Sequence, residues 1–143
     1  MVDITGKDVA FREAVAEGRI KLRRETLSLV RSGGIEKGDV FSIAKVAAIM
    51  AVKKTSEIIP LTHPIPITHV DVNMEAGEDN ISVKVTVRTN AQTGVEMEAL
   101  TGVAASLLTV WDLVKKYEKN DMGQYPTTEI SSIKVISKVK GST

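Results

Sequence analysis

The side chains in this 143-residue chain that could do chemistry are a histidine, a few carboxylates and several lysines, each next to a feature that could hold it in place. Lys37-Gly38-Asp39 sets a lysine at a glycine turn that opens a helix. Free N–H groups at a helix N-terminus, with an ammonium beside them, can hold a phosphate. The stretch lacks the G-x-x-x-x-G-K-S/T pattern of a P-loop, and a plain loop in which Asp39 caps the helix is the simpler reading in isolation. In Ile59-Pro60-Leu61-Thr62-His63-Pro64-Ile65-Pro66, prolines on both sides pin the backbone of an imidazole, which suits a positioned acid, base or donor. A connector histidine that merely finds a hydrogen bond is the competing reading. Thr93-Gly94-Val95-Glu96-Met97-Glu98 carries two carboxylates. They converge only if the stretch is still extended and the helix begins at Met97 or later; otherwise they are ordinary partners of a helix dipole. Asp112 and Lys115 are neighbours at i,i+3 on a helix, a spacing equally common in exposed ion pairs of little energetic weight.

The elements that must position these groups can be read from periodicity. Residues 12–22 alternate Ala14, Ala16, Gly18, Ile20 and Leu22 with mostly charged side chains, a strand pattern built from poor strand formers. Residues 1–11 have little pattern and are expected to be flexible. Residues 25–31 read as a short helix stopped by Gly33-Gly34, and Asp39 caps a helix running to Ile58 with Val40, Ile43, Ala47 and Met50 on one face. The three prolines then force an extended connector. Residues 67–76 and 81–89 form a hairpin, its second strand alternating Ile81, Val83, Val85 and Val87 with polar residues. A long helix over 97–119 buries Val103, Leu107, Val110, Trp111 and Val114, and 129–138 is a last strand. The order β-α-α-β-β-α-β predicts one α+β domain over 1–143, a ferredoxin-like antiparallel sheet with helices on one face plus one extra helix.

Glu98, Thr101, Ala105, Leu108, Asp112 and Lys115 share one stripe of the long helix, with Glu98 and Asp112 about 21 Å apart along its axis. If both ends are catalytic, either the pocket is assembled across a subunit interface or the ends serve different parts of a long substrate.

Composition excludes several classes of function. Net charge is +1, from 19 basic and 18 acidic residues, so no global field calls for nucleic acid or an anionic membrane. There is no cysteine, which removes disulfides, thiolate metal sites and thiol nucleophiles. No secretory leader pattern opens the chain and no apolar run reaches membrane-spanning length, so a cytoplasmic protein is expected.

Taken together, these segments resemble the MoaC family along nearly the whole chain. Met1-Val2-Asp3-Ile4, Arg12-Glu13-Ala14, Lys37-Gly38-Asp39-Val40, Ala51-Val52-Lys53-Lys54-Thr55, Ile59-Pro60-Leu61-Thr62-His63-Pro64, Thr93 to Thr101 and Asp112-Leu113-Val114-Lys115 carry the resemblance. It implies conversion of 3′,8-cyclo-7,8-dihydro-GTP to cyclic pyranopterin monophosphate with release of diphosphate, a step towards molybdopterin. It also implies a homo-oligomer: a dimer with interfacial sites, and a hexamer built from such dimers. By motif match, Asp112 and Lys115 are the central catalytic pair. Leu61, Thr62, His63, Met97 and Glu98 contact substrate, and Lys37, Lys53, Glu96 and Arg12 match other active-site positions. A tail lysine, Lys138 or Lys140, completes the set. Many members have cysteine where this chain has Thr62, so that side chain is not essential as a thiol.

Such a reaction needs placed proton donors and acceptors for the C–N bond changes, and cations for the leaving diphosphate. Lys115 is assigned as general acid with Asp112 orienting it. His63, Glu96 and Glu98 bind the ring system and relay protons, and Lys37, Lys53, Lys138 and Arg12 hold phosphates. No cofactor and no structural metal is expected. The rivals are weaker. An RNA-binding module would need strand aromatics that the hairpin lacks. A metal hydrolase using His63 and His69 has no recognised ligand spacing. A small-ligand domain that binds without turnover is separated only by assay.

Overall fold

The alternation of Ile81, Val83, Val85 and Val87 becomes the inner face of strand β3 (Asn80–Ala91), on which the sheet is built. In the computed structural model, which describes residues 1–141, the other elements are β1 (Ala10–Lys21), α1 (Arg24–Ser32), α2 (Val40–Lys53), α3 (Thr55–Ile58), β2 (His69–Ala76), α4 (Glu96–Glu118) and β4 (Glu129–Gly141). Positions 142 and 143 of the single-domain expectation lie outside the described residues. Strand order is β2-β3-β1-β4 with every neighbouring pair antiparallel, the ferredoxin-like arrangement, and the helices cover one face. The fold is α+β as the periodicity requires.

Alanine and glycine in β1 have a packing explanation. β1 is central, paired from Ala10↔Ala91 to Lys21↔Asn80 on one side and with β4 on the other. Its inner face lies under α4 so closely that a Cβ on Gly18 would stand 2.8 Å from Val103 Cγ1 and 3.0 Å from Leu107 Cδ1. Tertiary contact thus overrides local propensity. The same holds between helices: a Cβ on Gly102 of α4 would lie 2.8 Å from Val52 Cγ2 of α2. Val103, Leu107, Val110 and Val114 are fully buried, each contributing about 1.5–3 kcal/mol by burial, while Trp111 is half-buried.

Three expectations need correction. The helix expected from Asp39 to Ile58 breaks at Lys54, where Thr55 Oγ1 donates back to Ala51 O (2.9 Å) and Val52 O (3.1 Å), so α3 is a separate turn. The stripe Val40, Ile43, Ala47, Met50 is not the buried one: Ile43 and Met50 are exposed, and the buried face is Val40, Ala44, Ala48, Ala51 and Val52. Small side chains win that face because α4 approaches closely at Gly102. Finally, α4 is, by length and composition alone, able to span a membrane, with 23 residues and a mean hydropathy of 1.4 in its most apolar window. Half of that window is buried inside the fold, as befits the central helix of a core.

Glu118, which the sequence did not single out, ties three elements together. Its buried carboxylate accepts from Arg23 N (3.0 Å) and Thr26 Oγ1 at the start of α1, and from Thr128 Oγ1 (2.6 Å) before β4. Arg23, the N-cap residue of α1, supplies no side-chain cap of its own, so a carboxylate 95 positions away does the capping. Replacing Glu118 by alanine orphans several buried donors and should cost about 3 kcal/mol in chemical denaturation. Glu118→Gln, which keeps an acceptor, should cost clearly less, and equal stability of the alanine variant and the parent would remove the carboxylate from this role.

Candidate functional site

Two charged clusters stand at opposite ends of α4. At its N-terminal end the chain leaves β3 through Gln92, Thr93 and Gly94, and Val95 takes the N-cap position without a side-chain cap. The helix starts at Glu96, one residue before the start that was expected to let Glu96 and Glu98 converge. They nevertheless line one small cavity together with Thr62, His63, Ile65, Thr93, Gly94 and Met97. Convergence is possible because first-turn side chains can fold over the open end of the helix. The Glu96 carboxylate lies back over Gly94, where any Cβ would collide with it.

The two carboxylates differ in environment. Glu98 is buried, and desolvation raises its pKa above the ordinary value; its own backbone amide opposes the rise and the charge of Glu96 adds to it. Glu96 Oε1 is buried and, among the described residues, has no hydrogen-bond partner. The Lys138 ammonium is 3.6 Å from it, within ion-pair range but beyond hydrogen-bond length. Of the two tail lysines, Lys138 makes this contact, while Lys140 pairs in register with Arg12. Arg12 lies beneath the loop, 6% exposed, with Nε donating to Ala91 O (3.4 Å) and its guanidinium to Gln92 O (3.3 Å). Thr62 spends its hydroxyl on Ile59 O (2.8 Å), and Leu61 and Met97 are exposed beside the cavity.

At the other cluster Lys37 reaches across to α4, its ammonium donating to Asp112 Oδ2 and to Asp112 O, both at 3.1 Å. Lys115 Nζ is 3.2 Å from Asp112 Oδ1, so the carboxylate is held by a lysine on each oxygen. Hydrogen bonds from Lys37, then from Lys115, hold Asp112 below the usual carboxylate range. Gly38, at φ +132, permits the turn that aims Lys37, while Asp39 caps α2 through Ser42 N (3.1 Å). The glycine turn therefore serves the cap, and Lys37 reaches away from it. A further exposed pair, Lys116 with Glu36, lies nearby; its own hydrogen bond raises the lysine pKa and lowers the carboxylate pKa.

Within one chain these clusters stay apart. Lys53 is exposed at the C-terminal end of α2. Between the clusters runs an open apolar groove of about 530 Å³ lined by Ile58, Met97, Thr101, Ala104, Leu108 and Ile133 among others. Among the described residues, no three His, Asp or Glu side chains gather as a metal site. Sequence reasoning missed Gln92, whose carboxamide donates to Lys7 O at 2.9 Å across 85 positions; only its place just before the Thr93-Gly94 turn could have drawn attention to it.

Comparison with known proteins gives the family. The chain is 55% identical over 140 residues to a probable cyclic pyranopterin monophosphate synthase of Sulfolobus acidocaldarius, covering 98% of each chain. It is 57% identical over 141 residues to a protein of the same name from Aeropyrum pernix, covering 99% of this chain and 97% of the relative. A Methanothermobacter thermautotrophicus protein, named a probable cyclic pyranopterin monophosphate synthase accessory protein, is 56% identical over 140 residues, covering 98% and 88%. Residues 1–141 match the MoaC family across both clusters and every element that positions them, and the chain belongs to that family.

Proposed function

We propose that this chain is a cyclic pyranopterin monophosphate synthase of molybdenum cofactor biosynthesis, converting 3′,8-cyclo-7,8-dihydro-GTP to cyclic pyranopterin monophosphate and diphosphate. The observation that carries the reading is the orphaned acceptor Glu96 Oε1, buried in a cavity it shares with Glu98 and His63. A buried acceptor without a donor is costly unless a ligand supplies one. Purine-derived rings offer N–H donors of that kind. Full-length relatives bearing the synthase name support the same substrate.

In this reading Glu96, Glu98 and His63 hold the ring system, with Leu61, Thr62 and Met97 walling it. Glu98, made a weaker acid by burial, takes up a proton more readily than a surface carboxylate does. Lys115 donates a proton to a departing nitrogen or oxygen, and Asp112 fixes its position. Closure of the cyclic phosphate joins a hydroxyl oxygen to the α-phosphorus while diphosphate leaves, its charge met by Lys37, Lys53 and Lys138. Buried Arg12 holds the loop before α4 and lends that floor positive charge. Because the clusters stand apart on one helix, a symmetric dimer that covers the apolar groove completes each pocket from both chains. A hexamer of such dimers, a cytoplasmic location and independence of nucleic acid and membrane belong to the same proposal.

Incubating the purified protein with the cyclised GTP and detecting the oxidised pterin tests the activity directly; binding without product would make it a non-catalytic ligand domain. Asp112→Ala and Lys115→Ala should each lower turnover by roughly two to four orders of magnitude. Melting should scarcely change, since Asp112 is well exposed. Near-normal turnover in either variant would remove that residue from catalysis. Burial of Glu98 has a thermodynamic consequence as well. Its folded-state pKa lies above the unfolded one, so its favourable contribution is complete below the ordinary value of 4.5 and lost as pH rises through the raised value. Glu98→Gln should therefore raise the melting temperature at pH 7, with the gain shrinking at acid pH. A gain independent of pH would contradict the desolvation account.

A further inference from the structure

Prolines fix the backbone beside His63 but leave the two side-chain torsions of the imidazole free. The ring is oriented by a different contact. His63 Nε2 lies 2.7 Å from Val2 O. A carbonyl oxygen only accepts, so Nε2 bears the hydrogen and the neutral ring keeps its lone pair on Nδ1. Residues 1–7 form no regular element, and Val2 could not hold a ring by itself. The segment is anchored in two ways. Asp3 Oδ1 accepts from Thr5 N (2.9 Å) and Thr5 Oγ1 (2.6 Å), and Lys7 N donates to Ile4 O (3.0 Å), which folds the segment into a turn. The Gln92 carboxamide then donates to Lys7 O (2.9 Å) and approaches Ile4 O (3.3 Å). The backbone carbonyl of Gln92 accepts from Arg12, so one residue joins the buried arginine, the loop before α4 and the N-terminal segment. Ile4 and Val9 line, with His63, Pro64, Ile65 and Pro66, a second small cavity that the carboxylates do not line.

We propose that residues 1–7, locked by Gln92, form a strap that positions His63 and fixes its tautomer, with Gln92 as the positioning residue. His63 thus lines two cavities, one shared with Ile4 of the strap and the other with Glu96 and Glu98. The consequence for turnover rests on the function proposed above; the hold on the ring does not.

Nitrogen-15 NMR of the full chain tests both. In the parent, His63 should show a protonated, slowly exchanging Nε2 and an unprotonated Nδ1. Gln92→Glu, isosteric but without donors, should speed Nε2–H exchange and lower kcat by about tenfold each, with KM changed far less. Asp3→Ala, which loosens the strap from an exposed position, should act in the same direction should the Gln92 variant fail to fold. An unprotonated Nε2 in the parent, unchanged exchange in the variants, or lost protection with undiminished kcat would each overturn the proposal. If the parent shows no synthase turnover at all, the functional reading fails, and the NMR result alone still decides whether the strap holds the ring.

Discussion

The hydrogen-bonded ladder of α4 sets the geometry on which everything else in this molecule depends. Its 23 residues span about 35 Å at 1.5 Å per residue, and no side-chain motion can bring its ends together. The rest of the fold is arranged to hold this rod rigidly in a shallow seat. Gly18 lets β1 come beneath it, Gly102 lets α2 come beside it, and the Glu118 carboxylate pins its far end to α1 and to the approach of β4. A rod so fixed can present functional groups accurately but can present them only in two places.

The two ends have opposite electrostatic characters, and the helix dipole accounts for part of the contrast. Glu96 and Glu98 sit in the first turn, where a partial positive charge favours carboxylates; Lys115 and Lys116 sit in the last, where cations are favoured. Desolvation works against Glu98 at the first end, so the fold gives up stability to keep a protonatable group there. At the second end the charged cluster lies open to solvent. Asp112 is exposed and flanked by lysines, an arrangement that contributes little to folding and gains strength only when a ligand or another chain excludes water. Exposure of the proposed catalytic pair in the isolated chain fits the proposal of a pocket that a second chain completes.

How much of this the sequence discloses follows from the range of each interaction. The β3 strand, the α1 stop at Gly33 and the α4 core stripe depend on neighbours within a few residues, and periodicity exposes them. The site motifs were legible as a set because their order and spacing match a family, although each alone has an ordinary structural reading. What stayed hidden depends on distant partners. The buried stripe of α2 is chosen by Gly102, the cap of α1 comes from Glu118, and the orientation of His63 comes from Val2 and Gln92. Each of these joins residues more than forty positions apart, and neither hydropathy nor local propensity carries that information. The condition set for Glu96 and Glu98 failed for a related reason: strand and helix rules describe element interiors, and these residues occupy an element's open end.

Separation of the two clusters along α4 makes a shared active site the central claim. Subunit complementation measures it most directly. Glu98→Ala chains and Asp112→Ala chains, each expected to be inactive alone, are mixed after reversible dissociation, and turnover is followed as mixed dimers form. If each pocket draws on both chains, a mixed dimer holds one intact site of its two, and random mixing should restore about a quarter of the parental activity. Verified mixed dimers that remain inactive would show that each pocket is built from a single chain.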